Sequence, residues 1–478
     1  MLDKNANPST IRVIETMDHE TNCFKNSIWY RGEASELHQF YTQYDDMMGN
    51  VRFWQSESSN MVDFRKIHSG LPGLIIDTLA DITFSDVGEF EFNNDEAKEI
   101  WEEIEKELPK NFFKNAFKKA MVLGDGAIRF VYHPNEGKYP IAEFYPANRV
   151  DFVYKHGKIN KIIFKIPYLI DDREFILYEI HTEYGYSYML TNDVGKQVPV
   201  MDYPEFRGLK SFRKSEKGFM CVPIILGESS KYEGRGKSLF DGKDDSFDAF
   251  DEAYSQIIEA SRDNRTKQYI PEQMIPKDPT TGETLKPNPF DGRFIKIKGV
   301  TGTEGASPTI DVENPEMDYE GLMMAYTTTL DACLQGLISP STLGIDVKKL
   351  DNAEAQREKE KATLYTRSRI IEVAEKVIPQ VVAVALELYD LANKRPKQEY
   401  EVNVQFGEYA NPSFEATVET IGKAKQYKIM SNERIVDELY GDTMDEDEKK
   451  KEIERLNAMD GYEVAEPIAA SFDDIGNY

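Results

Sequence analysis

Residues with the types and spacing to do chemistry gather in a few places along this chain. Gly234-Arg-Gly-Lys-Ser238 ends like a loop that cradles phosphates, but such a loop needs another glycine five positions before its second, where Lys231 stands. No buried apolar strand leads into it, so it reads as the entry to a following helix, with Ser238 as N-cap. Just beyond lie Asp241, Asp244, Asp245, Asp248, Asp251 and Glu252. As a calcium loop running from Asp241 to Glu252 this run fails, because Lys243 takes a ligand position and Ser246 the glycine position. Spacings of three and four instead align Asp241, Asp244, Asp248 and Asp251 on one helical face, either solvated or lining a channel.

The other reactive residue types are scattered. His19, His38, His68, His133, His156 and His181 do not pair at metal-ligand spacing, and His19-Glu20 followed by Cys23 reads as a surface segment. No GxSxG and no Cys/His nucleophile pair is present. Gly124-Asp-Gly126 reads as a helix C-cap and turn. In so acidic a chain, two carboxylates at glycosidase spacing cannot be argued from sequence. A chain this long with no catalytic constellation is expected to be structural, with no enzyme activity, cofactor or metal.

The bulk numbers agree. With 478 residues, 40% apolar and 30% charged, the chain can bury a large core divided among several units. Its 58 basic against 85 acidic residues give a net charge of −27, which excludes a protein that clamps the DNA backbone tightly. Cys23, Cys221 and Cys333 are odd in number and far apart, as in a reducing compartment. The first thirty residues show no signal peptide. The most apolar stretch, Val377 to Leu391, is interrupted by Pro379, Gln380 and Glu387 and is too short to span a bilayer, so a soluble protein made in the cytoplasm is expected.

Helical spacing predicts helices over Ser35 to Met48, Arg65 to Thr83 with Pro72 near its start, Asp95 to Leu108 capped by Asn94 or Asp95, and Phe112 to Leu123. Alternating β-branched runs follow at Ala127 to Tyr132, Ile141 to Phe144, Val150 to Tyr154, Lys161 to Ile166, Glu174 to His181 and Tyr186 to Leu190, with turns at His156-Gly157-Lys158 and Thr191-Asn192-Asp193. They read as one antiparallel meander. A helix is expected from Ser238 to about Arg262, then a Pro/Gly-rich stretch from Tyr269 to Pro315 with one clear strand at Arg293 to Lys298. Met317 to Gly336 is helical, Ser339 to Gly344 breaks it, and a loop holds Lys348 and Lys349. The longest helix runs from Asn352 to about Asn393. Its second half buries Ile370, Ala374, Val377, Val381, Ala385, Leu388 and Ala392, widened by Ile371, Ile378, Val382 and Tyr389, and Pro379 should kink it. A strand at Glu399 to Phe406 precedes a charged helical tail with segments near Ser413 to Tyr427, Asn432 to Leu439 and Asp445 to Met459.

This order, helix, β insertion, helix, loop and long helix, resembles the portal proteins of tailed bacteriophages. Trp29-Tyr-Arg-Gly32 is similar to that family's N-terminal segment, and Leu123 to Tyr132 to its helix-to-strand step. Phe144 to Val150, His156-Gly-Lys158 and Lys161 to Phe164 resemble its wing meander. Gly236-Lys-Ser238 resembles its entry to the first stem helix, and Asn352 to Ala362 the start of its long helix.

The resemblance implies an α+β portal fold. It divides into wing (1–237), first stem helix (238–265), clip (266–315), second stem helix (316–338), tunnel loop (339–352), long kinked helix with a wing strand (353–410) and crown (411–478). It further implies a dodecameric ring of identical subunits at one capsid vertex of the virion, assembled in the host cytoplasm, through which double-stranded DNA is packed and ejected. Expected partners are the terminase large subunit, a head–tail adaptor, and major capsid and scaffolding proteins, with no membrane. Lys348 and Lys349, with Asp346 beside them, would lie in the tunnel loop facing DNA. Asp241, Asp244 and Asp248 would line the channel wall, and Phe294, Ile295 and Ile297 would serve the clip interface. An acidic wall suits a conduit, since a basic one would hold the phosphates and stall them. The alternatives are another ring-forming head–tail connector component or a metal-dependent nucleic-acid-processing enzyme.

Overall fold

Ile370, Ala374, Val377, Val381 and Ala385 recur at helical spacing, and they form the buried seam against which much of the fold packs. The computed structural model describes residues 17–48, 67–131, 138–214, 217–264, 267–271, 294–297, 311–313, 317–345, 353–396, 398–407, 430–440 and 446–460, with isolated positions between 275 and 280 and between 421 and 427. The chain divides into two compact units, Met1–Gly407 and Glu408–Tyr478.

In chain order the helices are α1 (His19–Arg31), α2 (Ala34–Met48), α3 (Leu71–Phe84), α4 (Asp95–Glu107), α5 (Phe112–Leu123), α6 (Asp244–Asp263), α7 (Tyr319–Leu334), α8 (Ala353–Ala392), α9 (Asn432–Tyr440) and α10 (Glu446–Asp460). The strands are β1 (Val87–Phe92), β2 (Asp125–Val131), β3 (Ile141–Pro146), β4 (Val150–Lys155), β5 (Lys158–Ile170), β6 (Arg173–Thr182), β7 (Gly185–Asn192), β8 (Gln197–Val198), β9 (Phe212–Arg213), β10 (Cys221–Ile225), β11 (Lys267–Pro271), β12 (Phe294–Ile297), β13 (Asp311–Glu313) and β14 (Val402–Phe406).

Several predicted elements have different limits. A helix precedes the first one predicted: α1 buries Asn22, Cys23, Lys25, Asn26, Ile28 and Trp29, so the His19 to Cys23 stretch is no surface segment. Its buried face carries amides and a lysine, so apolar periodicity does not reveal it, although Asp18 caps it and Gly32 ends it at φ 81°. α3 starts at Leu71, after left-handed Gly70 and with Pro72 in its first turn, where a missing N–H costs nothing. α6 starts at Asp244, six residues later than predicted, because Gly242 is left-handed at φ 78° and Ser238 is bonded elsewhere. α8 is continuous through Pro379 for 40 residues.

The predicted single meander is two sheets. β2 and β3 pair with β10 in the order β10-β2-β3, all antiparallel, while β4 to β8 form the meander, with β9 added to β7. Glycine permits the close β2–β3 pairing: at Gly126 a Cβ would come within 2.7 Å of the Tyr145 carbonyl and strike the Phe144 ring. β1, unpredicted, pairs with β14 across more than 300 residues of sequence. Between α6 and α7 the described residues form a sheet ordered β12-β11-β13, in which β11 and β12 run parallel.

Trp101 and Ile104 of α4, Ile75, Ile76 and Leu79 of α3, and Phe117 and Met121 of α5 join the α8 seam in one core. In the second unit α9 and α10 are tied by Lys449 to Asp437 at 3.1 Å and by Asn432 to Asn457 at 2.8 Å, with Ile435 and Val436 buried.

Candidate functional site

Gly124-Asp-Gly126 and Gly234-Arg-Gly-Lys-Ser238, far apart in sequence, meet in one place. At Gly124 and Gly236 an added Cβ would overlap the other's carbonyl oxygen, so only glycines allow the two backbones to pass. Asp125, wholly buried, accepts from the Gly236 amide at 2.8 Å and from Arg235 Nη2 at 2.9 Å. Arg235 also donates to the carbonyls of Ala147 (2.6 Å) and Val150 (2.7 Å), and its Nε lies 3.2 Å from His19 Nε2. Ser238 Oγ donates to the Val122 carbonyl at 2.6 Å, and the Leu239 amide to that of Met121 at 3.0 Å. These contacts engage the loop's groups with protein, so it is a clasp on the end of α5 and the start of β2, and Ser238 does not cap α6.

Burial sets the ionisation here. It pushes the Asp125 carboxyl up to about 6 against the lowering pull of Arg235. Burial, helped by Arg235, pushes His19 down to about 4. The Cys23 thiol is driven by burial up to about 12, and that of Cys333 likewise, so neither is a nucleophile near neutral pH.

The clasp leads into an antiparallel helix pair. Lys243, just before α6, donates at 2.8 Å to the carbonyls of Ala332 and Gln335 at the end of α7, which leave that helix unpaired. Cys333 Sγ meets the Ser246 carbonyl at 3.1 Å, and Phe250 packs against Tyr326 with tilted rings, centroids 5.1 Å apart. The acidic run is not a solvated face. Asp251 is 1% exposed, paired with His68 and accepting from the Ser69 amide at 2.9 Å. Asp244 pairs with Lys25 of α1, and Asp241 accepts from the Ser238 amide at 3.0 Å. Burial nevertheless raises the Asp244 carboxyl, against the pull of Lys25. Asp245 remains exposed.

After α7 the chain is pinned again. The Ser339 amide donates to Thr363 Oγ1 at 2.8 Å, Thr342 Oγ1 lies 3.0 Å from the same oxygen, and the Ile345 amide bonds the Pro340 carbonyl at 3.0 Å. Four residues on, buried Arg367 bonds the Ile82 carbonyl at 2.9 Å and that of Gly407 at 2.6 Å. Asp346, Lys348 and Lys349 lie outside the described residues, between these two fixed ends. Phe294, Ile295 and Ile297 lie on β12, an edge of its sheet among the described residues.

Among the described residues no group of His, Cys, Asp and Glu could hold a metal, and no helix is long and apolar enough to cross a membrane. A cleft of about 340 Å³ is lined by Arg129, Glu179, Tyr186, Met220 and Leu388, but its Arg129 and Glu179 are paired with each other. Sequence reasoning missed Arg235, Asp125, His68 and Lys243. The doubled glycines of both segments were the available signal for the first two.

A family model described as "Phage portal protein, SPP1 Gp6-like" matches residues 18–464. Among solved structures, one described as "Virion of native gene transfer agent (GTA) particle" is similar over 80% of this chain and 89% of that one, with 12% identity and a TM-score of 0.38. Another, "Neck of native GTA particle computed with C12 symmetry", covers the same shares at 11% identity and a TM-score of 0.40. No curated protein matches.

Proposed function

The chain belongs to the phage portal protein family, SPP1 Gp6-like, and from that membership we propose that it closes into a dodecameric ring at one capsid vertex, the conduit for packing and releasing double-stranded DNA. The family match over residues 18–464 carries this reading. The antiparallel pair supports it: α6 has 20 residues and α7 has 16, lengths of about 30 and 24 Å. Pairs repeated around an axis through head-to-tail contacts would build a tube wall.

On this reading the wing is residues 1–237, the stem 238–265 and 316–338, the clip 266–315, the tunnel loop 339–352, the long helix and wing strand 353–410, and the crown 411–478. The clip offers β12 as an edge for strand pairing through Phe294, Ile295 and Ile297, between copies or with the terminase large subunit and the head–tail adaptor. Lys348 and Lys349, beside Asp346, reach the DNA from a loop whose two ends are fixed. Asp241, Asp244 and Asp248 bias the start of the stem towards negative potential, tempered at Asp244 by Lys25. Capsid and scaffolding proteins surround the ring.

Electron microscopy of the purified protein, with sedimentation alongside, tests the proposal. Rings with a central hole are expected. A strict monomer at micromolar concentration would overturn it.

A further inference from the structure

One surface departs from the charge of the rest. From residue 152 to 170 the chain carries Lys155, Lys158, Lys161 and Lys165 and no Asp or Glu, in a protein with 85 acidic residues. Lys165 is paired with Asp151 at 2.9 Å. Lys155, Lys158 and Lys161 are exposed, and no described carboxylate lies within ion-pair distance of any of them.

The backbone concentrates these lysines. β4 and β5 are joined by His156 and Gly157 at φ 53° and 75°, a two-residue turn with both central residues left-handed. This sets Lys155 directly opposite Lys158, a like-charge cross-strand pair that disfavours the hairpin when nothing neutralises it. β6 pairs with β5 only from Ile162 onward, so residues 158–161 have β4 alone as partner. The tip therefore reaches about 13 Å past that pairing, counted over four residues of strand. One position before the Lys155–Lys158 pair, Tyr154 lies against the turn at Gly234, where a Cβ would come within 2.7 Å of the ring, so the ribbon is braced close to its tip.

The geometry points to the β4–β5 hairpin as a contact for the phosphate backbone of double-stranded DNA, an inference that rests on the portal reading above. A partner for this tip must be anionic, with repeated charge. A second copy of this acidic chain meets the charge requirement, but lysine is depleted from protein interfaces. Phosphates are met by lysines of this kind, and a two-stranded ribbon fits the major groove. A projecting tip is also shielded from distant carboxylates beyond a Debye length of about 10 Å at 0.1 M salt. The contact is weak and independent of sequence, which suits DNA that must move.

The test titrates assembled rings with a fluorescently labelled double-stranded oligonucleotide, by anisotropy, from about 50 to 200 mM salt. Three lysine–phosphate contacts predict a loss of affinity of about 40-fold over that range. Lys155→Glu/Lys158→Glu/Lys161→Glu rings are expected to bind at least about tenfold more weakly at low salt, with a flatter salt dependence. The Lys→Gln triple variant repeats the measurement should the charge reversal misfold. Equal binding by the variant, no binding by wild-type rings at low salt, or equal displacement by poly-glutamate would each overturn the inference. Rings that fail to form only in the variant would reassign the hairpin to subunit contact and overturn it too. Wild-type protein that binds DNA through the hairpin without forming rings would sink the portal reading alone.

Discussion

Arg235 closes on Asp125 across 110 positions of sequence, with Nη2 2.9 Å from Oδ1, and so fixes the segment before α6 to the start of β2. The carboxylate is wholly buried, and the guanidinium spends its remaining donors on Ala147, Val150 and His19. A planar fork is required, because one ammonium cannot reach these acceptors in the same geometry.

Replacing Arg235 by alanine strands a buried carboxylate and should cost about 3–5 kcal/mol of stability. Arg235→Lys keeps the charge but loses the carbonyl bonds, for a loss of about 1–3 kcal/mol. Urea midpoints give both values. A lysine variant as stable as the wild type would show that the fork geometry contributes nothing.

Gly124→Ala and Gly236→Ala each place a methyl group on the other strand's carbonyl oxygen, and Gly124 also sits at φ 98°. Neither backbone can withdraw without breaking the bonds of Asp125 and Ser238. Each variant should lose more than about 4 kcal/mol or fail to fold. Gly195→Ala, where a Cβ meets open space at φ 76°, is the control, with a loss of about 1 kcal/mol from backbone strain alone. Similar losses at all three positions would discount the close approach.

The contrast between these glycines and the long helix shows what the sequence discloses. Ile370 to Tyr389 repeat one apolar face, and periodicity places that helix within a residue of its limits because each turn repeats the same instruction. α1 lacks that repetition, since it buries Lys25 and Asn26 beside Trp29. The clasp is less legible still. Gly124-Asp-Gly126 and Gly234 to Ser238 are each complete as turns, and only the folded backbone shows that each accounts for the other's glycines. The same holds for Asp251, whose spacing predicts a helical face but whose partner His68 lies 183 residues away.

His19 and Asp125 give the clasp opposing responses to pH. Burial and Arg235 hold His19 at about 4, below its ordinary 6.5, so the folded chain binds fewer protons there than the unfolded one. Its share of stability is present above pH 6.5 and is lost as the pH falls towards 4. Burial raises Asp125 from 3.8 to about 6, so that group favours folding at low pH and loses this contribution as the pH rises through the same region. The two largely offset. His19→Gln removes one side, and between pH 7 and 5 the variant should gain about 2 kcal/mol relative to the wild type. Parallel pH profiles of the unfolding midpoint would show that His19 is not held neutral.

Lys348 and Lys349 carry the last prediction. In sequence they stand between Ile345, bonded to Pro340, and the Thr363 to Arg367 stretch of α8, bonded to Ser339, Ile82 and Gly407. On the proposed reading, two neighbouring lysines would meet phosphates without holding them, each contact being lost and remade as DNA slides. The double variant Lys348→Glu/Lys349→Glu alters no residue of the described core, the clasp or the α6–α7 pair, and its rings should assemble normally in electron micrographs. DNA packaging or retention, measured as nuclease-protected genome per particle, should fall severalfold, because two charges per subunit turn from attraction to repulsion. The conservative pair Lys348→Arg/Lys349→Arg should restore it. Full packaging by the glutamate variant would remove the loop from the mechanism, while leaving the ring itself unchallenged.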